Sequence, residues 1–327
     1  MPTLSVVLPF HNAEPTLPRA ILSVLKDADE GAEIIAIDDG STDGSAAIGA
    51  AIDDPRLRLI SSATPGLVGA LNTGIAASSG ALIARMDADD ETLPGRFAAQ
   101  RSLLQNPALA LVGTQVRAVG GLEGLARYVD WQNTIVDADA HHRALFIESP
   151  LCHPSVMMRR SALESVGGYR NGDFPEDYDL WLRMNAAGFG IAKVPQVLFH
   201  WHHRAGRATF SDPRYRIEAF QRAKAPFVAR RITRERRTIA MWGAGRTGRR
   251  MMRALEPHGV RASLFVDIDP KKVGRIARGV LIEGPDALDP ATHFVLAAVG
   301  ARGARDEIRA FLKEREFAEG HDFLFLS

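Results

Sequence analysis

Three acidic clusters carry most of the chemistry this sequence offers. Asp87-Ala88-Asp89-Asp90 follows the apolar run Ala81 to Met86. Asp38-Asp39-Gly40-Ser41-Thr42-Asp43 follows Glu33 to Ile37, and Glu176-Asp177-Tyr178-Asp179 opens a segment with helical spacing. Carboxylates crowded at a strand end repel one another unless cations or hydrogen-bond donors compensate. Oxygen ligands at that spacing suit a hard divalent ion, which keeps waters and takes substrate phosphates as further ligands. The competing reading is capping, because Asp is favoured at helix N-termini and acidic side chains in a first turn suit the helix dipole. A carboxylate in such a turn also serves as a general base when an acceptor hydroxyl reaches it. Spacing alone leaves both readings open.

The elements that position these clusters alternate. Leu4–Leu8, Glu33–Ile37, Leu57–Ile60 and Ala81–Met86 read as strands, with helical spacing over Pro18–Asp27, Ala46–Ile52 and Val68–Ser78. Strands separated by helices predict a mostly parallel sheet, whose ligand crevice lies beyond the carboxyl ends of the strands. The polar stretches 9–12, 38–43 and 87–90 all fall at such ends. The stretch from Glu91 to Arg207 is less regular, with a loop at 170–175 and a helix over Glu176–Ala187. Residues 212–237 read as a basic helical connector whose arginines form a solvated face. A second strand–helix pattern starts at Thr238. The expected organisation is 1–211, 212–237 and 238–327, an α/β protein with two sheet-based domains.

Bulk properties narrow the classes. The 327 residues are 46% apolar and 24% charged with a net charge of +1, which gives no reason to expect nucleic acid as a partner. The single cysteine, Cys152, rules out an internal disulfide and reads as a small buried apolar residue. The apolar N-terminus is strand-sized and lacks a basic leader, so it reads as a strand and not a signal peptide. No stretch approaches the ~20 apolar residues of a membrane span. A cytoplasmic protein is expected, with room for a peripheral place at the inner membrane face and for a homo-oligomer.

Taken in order, the motifs resemble glycosyltransferase family 2. They are Pro9-Phe10-His11-Asn12, Asp38 to Asp43, Leu71-Asn72-Thr73-Gly74, Met86 to Asp90, His153-Pro154-Ser155, Val166-Gly167-Gly168-Tyr169 and Glu176 to Arg183. The resemblance covers residues 3–205. It implies a GT-A fold and inverting transfer from a nucleoside diphosphate sugar to an acceptor hydroxyl, with a glycan or lipid-linked acceptor in cell-envelope polysaccharide synthesis. It further implies Asp177 as base with Glu176 beside it, and Mn²⁺ or Mg²⁺ on Asp89 and Asp87. Donor contacts would come from Pro9, Phe10, Asn12, Asp39, Asn72 and Asp87. The basic-x-His element of relatives is altered in His200-Trp201-His202-His203-Arg204, so His202, with His203 and Arg204 as rivals, is expected at the diphosphate or metal.

Gly243-x-Gly245-x-x-Gly248 follows a strand and opens a helix, and Asp267 ends the next strand. That context suits a dinucleotide-type phosphate loop with a ribose-binding acid. The 238–327 domain is expected to be Rossmann-like and to carry an accessory ligand site at these four residues, with no redox cofactor expected. Two alternatives stand beside the transferase. One is an NAD(P)-dependent oxidoreductase centred on this domain, and the other is a non-catalytic sugar-nucleotide-binding protein.

Overall fold

A computed structural model gives the structure of the protein and describes residues 3–121, 123–203 and 212–327. The chain divides into two compact units. One comprises Met1–His141, Pro150–Gly172 and Arg183–Ser211, and the other His142–Ser149, Asp173–Leu182 and Asp212–Ser327.

In the first unit an eight-stranded sheet is built from β1 (Leu4–Phe10), β2 (Glu33–Asp38), β3 (Leu57–Ser61), β4 (Leu82–Arg85), β5 (Glu91–Thr92), β6 (Leu109–Val119), β7 (Met157–Arg159) and β8 (Gly190–His202). Their order is β3-β2-β1-β4-β7-β6-β8-β5. The first four pair in parallel, and β7 enters antiparallel to both β4 and β6. Every residue of β1 is buried, as a central parallel strand covered on both faces requires. The helices of this unit include α1 (Leu17–Asp27), α2 (Ser45–Ala50), α3 (Leu67–Ala77), α4 (Arg96–Leu103) and α5 (Glu123–Thr134), then α6 (Ala138–Ala144), whose last residues belong to the second unit, and α7 (Arg160–Ser165). Gly74 of α3 shows how closely helix and sheet approach: a Cβ there would lie 2.6 Å from Ile37 and 2.7 Å from Val7.

The second unit contains a six-stranded sheet of β9 (Thr238–Trp242), β10 (Ala262–Val266), β11 (Ile276–Ala277), β12 (Val280–Glu283), β13 (His293–Ala297) and β14 (Phe323–Phe325). The order is β11-β12-β10-β9-β13-β14, parallel except for the β11–β12 hairpin. The first strand, β9, therefore lies inside the sheet between β10 and β13. Helix α8 (Glu176–Ala186) begins among the residues of this unit, and α9 (Ile217–Ile232), α10 (Arg246–Leu255) and α11 (Ala304–Glu314) belong to it.

Two expectations need correction. The segment expected as a basic connector holds α9, whose residues Ala219, Ala225 and Val228 are buried within the second unit. Its arginines are not all a solvated face either. Arg237 is ion-paired to Glu235 and Asp322 at 2.8 and 2.6 Å and lies over the Phe294 ring. Within the less regular stretch from Glu91 to Arg207, Glu123–Thr134 forms α5.

Candidate active site

The loops after β1 and β2 are stitched together by side chains. Asn12 adopts φ 48°, a left-handed conformation that Asn tolerates better than most residues. Its Oδ1 accepts from the Thr42 N–H at 2.8 Å, and its own N–H donates to the Ser41 hydroxyl at 3.1 Å. Ser41 N–H in turn donates to Asp38 Oδ1 at 2.8 Å. Asp39 sits at the exit of β2, where its carboxylate accepts from the Gly66 N–H at 2.9 and 3.0 Å. Pro9 and Phe10 end the buried β1, and Phe10 stands in register with Asp38. Asn72 commits its amide to Tyr169, donating to the carbonyl at 3.0 Å and accepting from the N–H at 3.2 Å.

Beyond β4 lies the acidic cluster. Carboxylate oxygens of Asp87, Asp89 and Asp90 lie within 4.8 Å of one another, the grouping among the described residues able to hold a metal. Asp90 is fully buried, and its Oδ1 accepts from the His202 N–H at 2.7 Å. Arg85, whose side chain is 3% exposed, forms an ion pair with Asp87. Burial opposes the Arg85 charge, but Asp87, with Tyr169 and Asp90 nearby, more than offsets this and holds its pKa above the ordinary value.

A second arginine supports the turn from beneath. Arg96 is wholly buried and donates to the carbonyls of Arg85 and Pro154 at 2.8 and 3.0 Å and to the Thr92 hydroxyl at 2.8 Å. Burial pushes it down to about 9. His153 bonds the Tyr169 hydroxyl at 2.8 Å, and burial, reinforced by Arg85, pushes it well below the usual histidine range.

This grouping differs from the expected ligand set. Asp90 joins Asp87 and Asp89, whereas His202 is outside the group and donates its main-chain N–H to Asp90. Burial lowers the His202 pKa, with Arg19 contributing. His203 donates its N–H to the Val119 carbonyl at 2.9 Å, and Arg204 lies outside the described residues. Three hard oxygen donors at a strand end, backed by buried cations, fit a divalent ion.

Glu176 and Asp177 open α8 and differ in access. Glu176 is 1% exposed and accepts from the Tyr215 hydroxyl at 3.0 and 2.8 Å. Burial, with Glu176 next, raises the Tyr215 pKa. Asp177 is half-buried, and its Oδ1 accepts from the Tyr178 N–H at 2.7 Å. Tyr215 and Arg85, which touch these acids, were missed in the sequence: the tyrosine is remote in sequence, and the arginine is hidden in an apolar strand.

Comparison with known proteins supplies the family. The profile described as glycosyl transferase family 2 matches residues 5–167. A protein of Bacillus subtilis (strain 168) described as "Putative glycosyltransferase EpsE" is 33% identical over 208 residues, covering 61% of this chain and 72% of EpsE. The chain belongs to glycosyltransferase family 2. It is thus an inverting glycosyltransferase, and the reading as primarily an oxidoreductase is set aside.

The amylovoran biosynthesis glycosyltransferase AmsE of Erwinia amylovora is 35% identical over 136 residues, which are 41% of this chain and 49% of AmsE. The chain thus spans about half of that relative. The mannosyltransferase PcManGT of Pyrobaculum calidifontis, in complex with GDP-Man and Mn²⁺, superposes with a TM-score of 0.53 at 18% identity. That match covers 71% of this chain and 64% of PcManGT, and it shows a shared GT-A fold. No helix of the described residues is long and apolar enough to cross a membrane.

Proposed function

We propose that this family 2 enzyme transfers a sugar from a nucleoside diphosphate sugar to a hydroxyl of a glycan or lipid-linked acceptor in polysaccharide synthesis. The observation that carries the reading is the Asp87–Asp89–Asp90 cluster backed by buried Arg85. In it, 1–211 carries the transfer and 238–327 is accessory. Asp89 and Asp87, with Asp90, would hold Mn²⁺ or Mg²⁺, the former being the ion in the PcManGT complex. Such an ion neutralises charge on the diphosphate as it leaves.

The residues of the chain do the rest. Asp39 takes a ring N–H of the base, with Pro9, Phe10 and Asn12 shaping the loop around it. Asn72 acts through Tyr169, whose main chain it fixes. Asp177 removes the acceptor hydroxyl proton as that oxygen attacks the anomeric carbon opposite the diphosphate. The bond from the anomeric carbon to the diphosphate oxygen breaks, its electron pair leaves with the nucleotide, and configuration inverts. Asp177 suits the base better than Glu176, because Glu176 is sealed from solvent under Tyr215.

A half-buried aromatic group supports a sugar acceptor. Tyr128 stacks on Trp131 at 5.9 Å and meets Trp201 at 6.5 Å, and Trp201 precedes the residue whose N–H binds Asp90. Aromatic faces of this kind pack against the apolar faces of sugar rings.

A panel of nucleotide sugars with Mn²⁺ tests the reading. One donor should be turned over, the turnover should stop in EDTA, and Asp177→Asn should lose transfer while retaining nucleotide binding. Turnover unchanged by EDTA would remove the metal assignment, and an active Asp177→Asn would move the base elsewhere.

A further inference from the structure

A cavity of about 480 Å³ is lined entirely by residues of the second unit, none of them among those assigned above to sugar transfer. It opens at the carboxyl ends of β9, β10 and β13. In that sheet β9 lies between β10 and β13, so the chain winds away from β9 first to one side and then to the other. Such switch points are where parallel sheets receive ligands, and the volume is that of a small-molecule site.

The cavity has a centre and two flanks. Its centre is the loop Gly243 to Thr247 at the start of α10. Ile268, Lys272 and Pro285 line the flank beside β10 and β12, with Ile268 70% exposed. Val299, Ile308 and Phe311 line the flank beside β13 and α11. Apolar side chains therefore stand on both sides of a centre bearing backbone amides and the exposed Arg246, with Asp269, Lys272 and Glu307 also in the lining.

The three glycines have different reasons for being glycine. Gly243 has φ +114°, and a Cβ there would lie 2.5 Å from the Ala298 carbonyl oxygen. At Gly248 a Cβ would lie 1.9 Å from the Gly243 carbonyl oxygen. The fold demands both. Gly245 has an ordinary φ of −79°, and a Cβ there would meet nothing within 4 Å. The chain itself does not need glycine at 245, whereas a ligand lying against the main chain does.

Asp267 takes a different part from the ribose-binding acid expected from the sequence. Its Oδ2 accepts from the Ala244 N–H at 3.1 Å and from Lys272 at 3.0 Å, and its Oδ1 from the Asp269 N–H at 3.0 Å. Of the roughly four acceptor positions of a carboxylate, about one is left for a ligand hydroxyl. Asp267 is first of all a brace for the glycine loop.

We propose that this cavity binds a nucleoside diphosphate carrying a second group. The nucleoside lies against Ile268 and Pro285, the pyrophosphate over Gly245 and the first amides of α10, and the second group against Val299 and Phe311. Anion binding at a helix start and close main-chain approach at glycine are the physical basis. Nicotinamide dinucleotides and nucleotide sugars share this chemistry.

Calorimetric titration of the full chain in EDTA, with NAD⁺ and separately with UDP-glucose, tests the proposal. At least one should bind saturably, and the one that binds tells which of the two sources the site takes. Gly245→Leu fills the open space without straining the backbone. It should weaken binding roughly tenfold or more, about 1.4 kcal/mol, with an unchanged melting curve. Should Gly245→Leu melt early, charge reversal at the exposed Arg246→Glu gives the same readout. Asp89→Ala should leave this binding intact. The proposal falls if neither probe binds at millimolar concentration, if binding survives Gly245→Leu and Arg246→Glu, or if it disappears in Asp89→Ala. Mn²⁺-dependent donor turnover on the same wild-type and Gly245→Leu samples reports on the transferase site separately.

Discussion

Two parallel strands of this chain run into an aspartate, and the two aspartates meet opposite conditions. Past β4, three carboxylates crowd together beside a buried guanidinium that pairs with Asp87. Past β10, Asp267 is met by two main-chain N–H groups and a lysine whose side chain is 39% exposed, so its charge is already matched. Position on an α/β sheet is the same in both cases. What differs is the number of carboxylates: three grouped within 4.8 Å make one strand end a cation holder, whereas the single Asp267 braces a loop at the other.

Substitutions can break this contrast, and the largest effect is expected at the cation holder. Asp89→Ala should lower Mn²⁺-dependent donor turnover by about 10³-fold, the scale of losing a main electrostatic stabiliser. A loss below tenfold would erase the difference between the two strand ends. Arg85→Met leaves crowded carboxylates without their buried partner and should cost about 3–5 kcal/mol in urea unfolding. Added Mn²⁺ should recover part of that stability by binding the native state.

Asp267→Ala orphans two N–H groups and should cost about 1–3 kcal/mol with no recovery by Mn²⁺. Recovery there would make the two ends alike after all. Lys272→Met, which removes an exposed partner, should cost about 1 kcal/mol or less.

The second unit has its own buried cation, and it supplies a pH test. Lys224 Nζ donates to the carbonyls of Phe146, Ile147 and Leu326 at 2.7, 2.8 and 3.0 Å. Burial pushes its pKa from 10.5 down to about 7, with Glu148 acting the other way. Between these values the unfolded chain holds a proton that the folded chain releases. Stability conferred by this site therefore rises with pH across that window, and the burial penalty is full below it. Melting temperatures from pH 7 to 10 should show the rise in wild type and a smaller one in Lys224→Met. Parallel curves would assign the rise to other groups.

Much of this was legible in the sequence, for a definite reason. Strands β1 to β4 and β9, β10 and β13 are short apolar runs alternating with helical spacing, so both the sheets and the acids at their ends could be read. The middle of the chain resisted. The pairing of β6 with β8 shifts register between Leu109 and Leu111 and again around Gln115, which destroys the two-residue alternation that marks a strand. Site residues were legible where their type was unusual for their place, as in Asp87-Ala88-Asp89. Arg85 and Arg96 were not, because a charge that is buried and paired leaves no periodic trace. Tyr215 reaches Glu176 across 39 positions, beyond any local pattern.

Lys224 also bears on how such a chain could have been assembled. Its three carbonyl partners come from residues 146 and 147, inside the stretch matched by the family profile, and from residue 326 at the far end of the sequence. A genetic exchange that cut at residue 238 would carry away one acceptor and leave the lysine with two. The C-terminal sheet is therefore poorly suited to being swapped as a cassette, and its inheritance should follow that of the 142–149 segment.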